Sequence, residues 1–339
     1  MKRFSEVNPT KCFGFLFLVV LFLLPVFVFG TKSYYLRIAV LVLMFAGMSN
    51  GWNLISGYGN QVSLGHAAFF GLGAYTSTLL LKYIGLSPWL GMIAAGLVSG
   101  LSSLLVGIPT FRLRGHYYAL ATLAFAEVLR VLALYFRHFT GGAVGLTVPY
   151  LGDSFWFFQF YGNRTYYLVG LFMLFMTLLI TYRIDRGRLG YQLRALKNSH
   201  EAAEVVGVDT YRAKLKANFL SALITGMYGT FYAQFQFFID ADTVLGFWTI
   251  SVKMALMTIL GGMGSIWGPL IGAGILVPLD EWTNAVFTGN LAAVSRLIYG
   301  GLLIALILWQ PRGLLYWIYQ SVARVWQRSR GIEKIGGNG

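Results

Sequence analysis

Residues 13–30 read FGFLFLVVLFLLPVFVFG, and this stretch decides the fold class of the chain. Its residues do not alternate between apolar and polar, as they would in a strand of a membrane β-barrel. An apolar run of this length is enough for an α-helix to cross the hydrocarbon core of a bilayer. The preceding charges Lys2, Arg3 and Lys11 also suit a secretory signal peptide, but the length of the run favours a retained first span.

The rest of the chain repeats this pattern. Of its 339 residues, 57% are hydrophobic and 11% are charged, whereas a soluble domain carries about 25% charged residues. The recurring apolar runs predict an all-α polytopic membrane protein with roughly eight to ten transmembrane helices, some of them broken at glycine-rich sites. The stretch 249–262 is short, which indicates a broken or re-entrant helix. The predicted spans are residues 13–30, 36–55, 63–84, 88–108, 115–137, 165–183, 215–238, 249–262, 266–287 and 293–310.

The basic residues set the predicted orientation. With the N-terminus in the cytoplasm, most of the 26 lysines and arginines fall in cytoplasmic segments, as the positive-inside rule requires. Both termini are therefore predicted to be cytoplasmic, with residues 1–12 as a short N-terminal segment and 311–339 as a basic tail around a transmembrane domain at 13–310. This placement accounts for most of the net charge of +14 without a nucleic-acid partner.

The longest cytoplasmic loop, residues 184–214, contains a compact polar segment, EAAEVVGVD, at 201–209. Its apolar spacing predicts a short amphipathic helix that ends at a glycine. Two alanines would give this helix a small, smooth face for a groove on another protein, with a glutamate at the edge. The alternative is an ordinary solvated loop helix with a glycine cap. The residues that carry the prediction are Glu201, Ala202, Ala203 and Gly207.

Two glycine-rich segments interrupt the predicted spans. The first, GYGNQVSLGHAAFFGLG at 57–73, predicts a broken helix that lines a solute path, because irregular backbone in lipid needs protein or water to satisfy it. The alternative is that its glycines only let helices pack closely. The second, LGGMGSIWGPLIGAG at 260–274, is similar enough to hint at an internal repeat. The polar side chains of the first segment are Asn60, Gln61, Ser63 and His66.

Some charged residues fall inside the predicted spans. Glu127 and Arg130 are three residues apart and share a helix face. Ionisable residues within a membrane are functional candidates by default, although these two also suit a self-satisfied pair near the interface. Lys253 and Arg296 lie near the ends of their spans, where a long side chain reaches the headgroups.

The sequence contains no recognisable catalytic or metal-binding set. Its single cysteine, Cys12, excludes an internal disulfide and a cysteine-based metal cluster. His66 has no second histidine or cysteine nearby, so a hydrogen-bonding role is favoured over metal ligation. There is no phosphate-binding loop of the G-x-x-x-x-G-K-[ST] type and no chain of acidic residues like that of a proton-coupled carrier.

Five ordered blocks of the sequence resemble the permease subunits of bacterial ATP-binding-cassette (ABC) importers for branched-chain amino acids, specifically the M-type, LivM-like subunit of the LivH/LivM family. The resemblance covers about residues 35–315. The blocks are GYGNQVSLGHAAFFGLGAYT (57–76), RLRGHYYALATLAFAEVLR (112–130), TGGAVGLT (140–147), LGYQLRALKNSHEAAEVVGVD (189–209) and LGGMGSIWGPLIGAG (260–274).

Within these blocks, Glu201-Ala202-Ala203 and Gly207 resemble the coupling-loop motif of such permeases. The motif usually continues with an isoleucine and a Leu-Pro pair, where this chain has Ala217 and Phe219-Leu220, so its second half is not met. The resemblance implies that residues 196–209 form a coupling helix, which seats in a groove of a partner ATPase.

The resemblance also implies a transport subunit rather than an enzyme. It would import leucine, isoleucine and valine across a bacterial inner membrane by alternating access, beside a second, LivH-like permease. Two ATP-binding subunits would use ATP and Mg²⁺, a periplasmic or lipid-anchored binding protein would deliver the solute, and this chain would hold no cofactor or metal. By polarity within and beside the predicted spans, the candidate translocation path comprises Asn60, Gln61, Ser63, His66, Tyr75, Glu127, Thr140, Gly141 and Gly142.

Two other functions remain open from the sequence. Importers of the same type carry urea or short-chain amides, which need more hydrogen bonds and less apolar wall than branched side chains. A stand-alone ion-coupled carrier is the alternative from another class. It would need ion ligands within the membrane and would have no use for Glu201, Ala202, Ala203 and Gly207.

Overall fold

The computed structural model describes residues 33–111 and 117–287, together with positions 297, 300, 301, 304, 308 and 313–316. The predicted spans at 13–30 and 293–310 therefore lie wholly or largely outside the described residues. The same holds for the predicted terminal segments, 1–12 and 311–339.

The described chain is mostly helical. Two π-helical turns, Leu54–Tyr58 and Phe247–Val252, extend or precede α-helices, and strands β1 (Leu146–Thr147) and β2 (Phe238–Ile239) form a short antiparallel pair. The α-helices are α1 (Ser33–Asn53), α2 (His66–Ile84), α3 (Pro88–Thr110), α4 (Tyr117–Tyr135), α5 (Arg137–Thr140), α6 (Asn163–Arg186), α7 (Arg188–Asn198), α8 (His200–Val205), α9 (Thr210–Gln236), α10 (Ala241–Val244), α11 (Lys253–Gly261) and α12 (Gly268–Val286).

Several helical segments have the properties of membrane spans. Among the described residues, five are long and apolar enough to cross a bilayer. The prediction of an all-α polytopic membrane protein is therefore confirmed, while the span count, the domain bounds and the side on which the termini lie stay predictions. The five segments are Tyr34–Tyr58, Pro88–Thr110, Tyr117–Tyr135, Asn163–Arg186 and Ala241–Gly261.

The helices pack in two groups. In the first group α9 packs against α2 and α3, and in the second α1 packs against α6, α11 and α12. Glycines make the first group tight: a Cβ on Gly73 would lie 2.0 Å from the Gly226 carbonyl oxygen, and one on Gly229 would lie 2.1 Å from that of Phe70. Close packing of small residues is a common way for membrane helices to associate, and it explains these glycines without a solute path.

The first glycine-rich segment does break the helix, as the sequence predicts. Helix α1 ends in the π-helical turn Leu54–Tyr58, the backbone is irregular through Gly65, and α2 begins at His66. The irregular backbone is satisfied by side chains, because the Trp52 indole donates to the Ser63 carbonyl at 2.7 Å and the Ser63 amide donates to the Ser56 hydroxyl at 3.2 Å. Broken backbone at membrane depth requires such partners.

The predicted short span at 249–262 is longer in the structure. Helix α10, the π-helical turn Phe247–Val252 and α11 together form the apolar segment Ala241–Gly261 of 21 residues. The sequence window missed its first part because Asp242, Thr243 and Gly246 interrupt the apolar run. The prediction that this span is a broken helix is confirmed.

Candidate coupling and translocation sites

The predicted coupling helix at 196–209 is divided in the structure. Residues 196–198 end α7, and a separate short helix, α8, covers His200–Val205. The start of α8 is fixed by a local cap. Helix α8 follows α7 after a single residue, Ser199, whose hydroxyl accepts a hydrogen bond from the Ala202 amide at 3.2 Å. Serine in this position satisfies one of the free amides at a helix N-terminus. The Ser199 amide itself donates to the Ala195 carbonyl of α7 at 3.2 Å, which joins the two helices.

The end of α8 is fixed by Gly207. Its amide donates to the Glu204 carbonyl at 2.9 Å, and the Val208 amide donates to the Ala203 carbonyl at 3.0 Å. These two bonds form a Schellman motif, in which the first residue after the helix adopts the left-handed conformation. Gly207 has φ +84°, a conformation that glycine adopts without steric cost. The predicted glycine stop is confirmed.

The outward face of α8 differs from the predicted alanine face. Ala203 is only 4% exposed and packs against its own chain, whereas Ala202 and Glu201 are exposed. Val205 and Val206 are 88% and 81% exposed. The available apolar surface is therefore Ala202 with the two valines. Val205 and Val206 belong to the apolar pattern that predicts the amphipathic helix, but the sequence analysis assigned the docking face to the alanines and not to these valines.

A polar cluster ties α8 to the start of α9. The Lys214 ammonium lies 3.0 Å from His200 Nε2, and the Thr210 hydroxyl donates to Glu204 Oε1 at 2.9 Å. Because the ammonium has only donors, His200 Nε2 accepts and Nδ1 carries the proton, facing Glu204 at 3.4 Å. Burial lowers the pKa of Lys214, and the nearby Glu204 opposes that shift. These contacts hold α8 in a fixed orientation.

Helix α7 joins the coupling segment to the membrane helices. Arg194 forms an ion pair with Asp185 at the end of α6. Leu193 is fully buried and approaches Gly59, beside the π-helical turn. The Lys197 ammonium donates to the Gly57 carbonyl at 3.0 Å. The helix is thus anchored by a charge, an apolar contact and a hydrogen bond.

The polar cluster predicted at the first break is divided in the structure. Asn60 is exposed, with the unusual φ of 53°, and Gln61 is half-buried, whereas Ser63 and His66 are fully buried. Of the predicted path residues, the structure brings Ser63 and His66 into direct contact.

His66 is held between two serines. Ser221 Oγ donates to the Gly51 carbonyl at 2.7 Å, so it must accept from His66 Nε2, which lies 2.7 Å away. His66 Nδ1 then accepts from the Ser63 hydroxyl at 2.8 Å. This assigns the neutral tautomer with the proton on Nε2. The arrangement connects α2, α9 and α1 through one fully buried imidazole.

Near the predicted outer ends of α4 and the segment 241–261, Glu127 belongs to a charged network. Arg130 Nε contacts Glu127 Oε2 at 2.9 Å, and Arg130 Nη1 contacts Asp242 Oδ1 of α10 at 2.8 Å. Arg130 and Glu127 are half-buried and Asp242 is exposed. The interpretation as a self-satisfied pair is thus incomplete, since a third charge from another segment takes part.

Tyr75 and Thr140 occupy different surroundings. Tyr75 is buried, and its hydroxyl has no hydrogen-bond partner among the described residues. The Thr140 hydroxyl donates to carbonyls of α4 and its C-terminal end, including that of Phe136 at 2.9 Å, and accepts from the Gly142 amide at 3.2 Å. Gly141 and Gly142 have φ of 76° and 59°. Thr140, Gly141 and Gly142 thus form a tight turn at the end of α5.

A further ion pair joins the segment 241–261 to α12. Lys253 Nζ contacts Asp280 Oδ2 of α12 at 2.5 Å, which gives Lys253 a partner that sequence analysis did not foresee. The sequence around Lys253 does not indicate this ion pair, because the two partners belong to different helices. Within the described residues, no group of three or more histidine, cysteine, aspartate or glutamate side chains is arranged to hold a metal ion.

The known proteins to which this chain is similar are all described as permeases of branched-chain amino acid transport systems. A family model described as branched-chain amino acid transport system / permease component matches residues 34–307. The high-affinity branched-chain amino acid transport system permease protein LivM of Salmonella typhimurium is 32% identical over 300 residues, covering 82% of this chain and 69% of the relative. LivM of Escherichia coli is 32% identical over 323 residues, covering 88% and 74%. A probable LivH permease of Methanocaldococcus jannaschii is 24% identical over 254 residues, covering 72% and 79%. No solved structure matches the chain.

Proposed function

We propose the function from one premise: this chain belongs to the family of permease components of branched-chain amino acid transport systems. It is a multi-pass membrane subunit of an importer for leucine, isoleucine and valine, in the inner membrane of a bacterium. It works beside a second permease of the LivH type, and the similarity of this chain to both LivM and LivH relatives supports such a pair. Two ATPase subunits supply the energy, and a substrate-binding protein delivers the solute outside.

The observation that carries the ATPase part of this proposal is the rigid presentation of α8. The short helix is capped at both ends and tied to α9, yet Val205 and Val206 remain almost fully exposed. A preorganised apolar projection loses little conformational freedom when a partner covers it. The ATPase is expected to bind Ala202, Val205 and Val206, with Glu201 at the rim, while Ala203 supports the helix from inside.

The proposed path for the solute follows the charged network rather than the first break. Ser63, His66 and Thr140 use their polar atoms on internal hydrogen bonds. Arg130 and Asp242, by contrast, offer partly exposed charges of both signs. Charged groups within a membrane segment require water or protein beside them. A path between the two permeases would supply both, and a zwitterionic amino acid matches both charges.

The experiment is recovery of the tagged chain from its native membranes in mild detergent, with identification of the co-purifying proteins. The wild-type chain is expected to bring two ATPase subunits and a second permease. Val205→Glu is expected to lose the ATPases and keep the second permease, because it places a charge in the apolar contact. Val144→Glu is the matched control, since Val144 is 85% exposed in the loop between α5 and β1, on the predicted outer side. Recovery of the wild-type chain without ATPases, or ATPases retained by Val205→Glu, would contradict the proposal.

A further inference from the structure

Lys197, at the end of α7 and next to α8, contacts both glycine-rich breaks. It lies in the last turn of α7, two residues before the cap of α8. Its ammonium donates to the carbonyl of Gly57 in the π-helical turn. A Cβ on Gly264, in the loop between α11 and α12, would lie 2.8 Å from the same ammonium and 3.0 Å from the Gly57 carbonyl oxygen. One side chain therefore touches the end of α1 and the loop before α12.

The two breaks are also bound to each other. Asn53 Oδ1 accepts from the Gly264 amide at 2.8 Å, and its amide group donates to the Ser265 carbonyl at 2.8 Å. A Cβ on Gly57 would overlap Asn53 Oδ1 at 1.7 Å and approach the Gly264 amide nitrogen at 2.7 Å. The glycines are thus needed for this contact, and the two breaks form one joint beside Lys197.

The Gly57 carbonyl is a suitable acceptor for a cation. It lies among the last carbonyls of a helix, which have no partner further along the helix. Such an end carries partial negative charge, so an ammonium is favoured there. Among the described residues Lys197 forms no ion pair with a carboxylate. The helix end is its partner.

We propose that Lys197 is the positioning residue that transmits movement of the ATPase-docking helix to the joint of the two breaks. The proposal rests on the proposed function, because it requires an ATPase bound at α8. When α8 moves, the ammonium pulls the Gly57 carbonyl, and the end of α1 and the loop before α12 move with it. A complex without this hydrogen bond still docks its ATPases and hydrolyses ATP, but it couples hydrolysis poorly to transport.

The test compares Lys197→Met with Lys197→Arg in the complete complex expressed from its native locus. Methionine keeps a long apolar stem and removes the charge, whereas arginine keeps a cationic donor. Lys216→Met is the control, since Lys216 is another exposed lysine, in the second turn of α9. The measurements are co-purification of the other subunits, ATP hydrolysis by the purified complex and uptake of radiolabelled leucine by cells.

The expected result for Lys197→Met is an intact complex with unchanged basal ATP hydrolysis and uptake reduced about tenfold or more, as loss of one charge-assisted hydrogen bond allows. Lys197→Arg and Lys216→Met are expected to retain most uptake. Normal uptake by Lys197→Met would overturn the proposal, as would loss of the ATPases from that variant or equal loss of uptake with arginine. Absence of ATPases from the wild-type complex would instead refute the proposed function.

Discussion

Replacing Gly207 by alanine should weaken ATPase docking by an amount that follows from one dihedral angle. Gly207 has φ +84°, and nothing lies within 4 Å of a Cβ built on it. The substitution therefore adds no clash, and its cost is that of a left-handed backbone for an L-residue, roughly 1–2 kcal/mol. Val205 and Val206 stand in the turn that Gly207 terminates, so relief of this strain displaces the docking surface. Since about 1.4 kcal/mol is a tenfold change in affinity, docking is expected to weaken about five- to thirtyfold.

The assay is the dissociation constant of the ATPase subunits on the solubilised permease pair carrying each variant. Gly85→Ala is the matched control, because Gly85 ends α2 with φ +70°, open space around its Cβ position and amide contacts to the last turn of the helix. It carries a similar backbone cost on the predicted outer side, so its ATPase affinity is expected to equal that of the wild type. Gly207→Asn is expected to fall between wild type and alanine, since asparagine tolerates the left-handed region better.

Two outcomes would refute this reasoning. An unchanged affinity in Gly207→Ala would mean that docking does not depend on the end of α8. An equal loss in Gly85→Ala would mean that the effect spreads through general destabilisation of the permease rather than through the docking surface.

The remaining predictions concern the buried histidine and the charged network. His66→Phe should lower the free energy of unfolding by about 1–3 kcal/mol, because it leaves the hydroxyl of Ser63 buried without its partner; a lower thermal midpoint in detergent with an unchanged KM for leucine supports this, and an unchanged midpoint contradicts it. Arg130→Gln should raise the KM for leucine about tenfold without loss of co-purifying subunits, because it removes the cation expected to bind the carboxylate. Asp242→Asn should also raise the KM for leucine, because it removes the anion expected to bind the substrate ammonium. An unchanged KM in both variants would show that the network is not part of the path.

The sequence predicted those features that depend on local pattern. The glycine stop of α8, the break before α2 and the broken span before α12 all follow from glycines and apolar runs within a few residues. The orientation of α8 was not predictable in the same way. A helix of six residues has too little periodicity to show which face is buried, and the burial of Ala203 depends on how α8 packs against its neighbouring helices.

The missed partners depend on contacts between distant parts of the chain. Asp242 completes the Arg130 network from 112 residues away, and Ser221 holds His66 from 155 residues away. No local spacing encodes such pairs. The sequence marked His66 and Arg130 as polar residues in apolar surroundings, and the structure supplied the reason that each is tolerated there.

The packing of the two helix groups favours a pivot in the middle of the protein. Where α1 meets α9, a Cβ on Gly47 would lie 1.9 Å from the Tyr228 hydroxyl, and Ser221 bonds the carbonyl of Gly51. Interfaces this close resist sliding, so tilting of one group against the other is easiest about this seam. Three segments carry the chain between the groups: the first break, which His66 links to the seam through Ser221, helices α7 and α8, and the stretch from β2 to α11. A tilt about the seam would move the Lys197 joint, near the predicted cytoplasmic ends of the helices, and the contact between Arg130 and Asp242, near the predicted outer ends, in opposite directions, as the proposed import by alternating access needs.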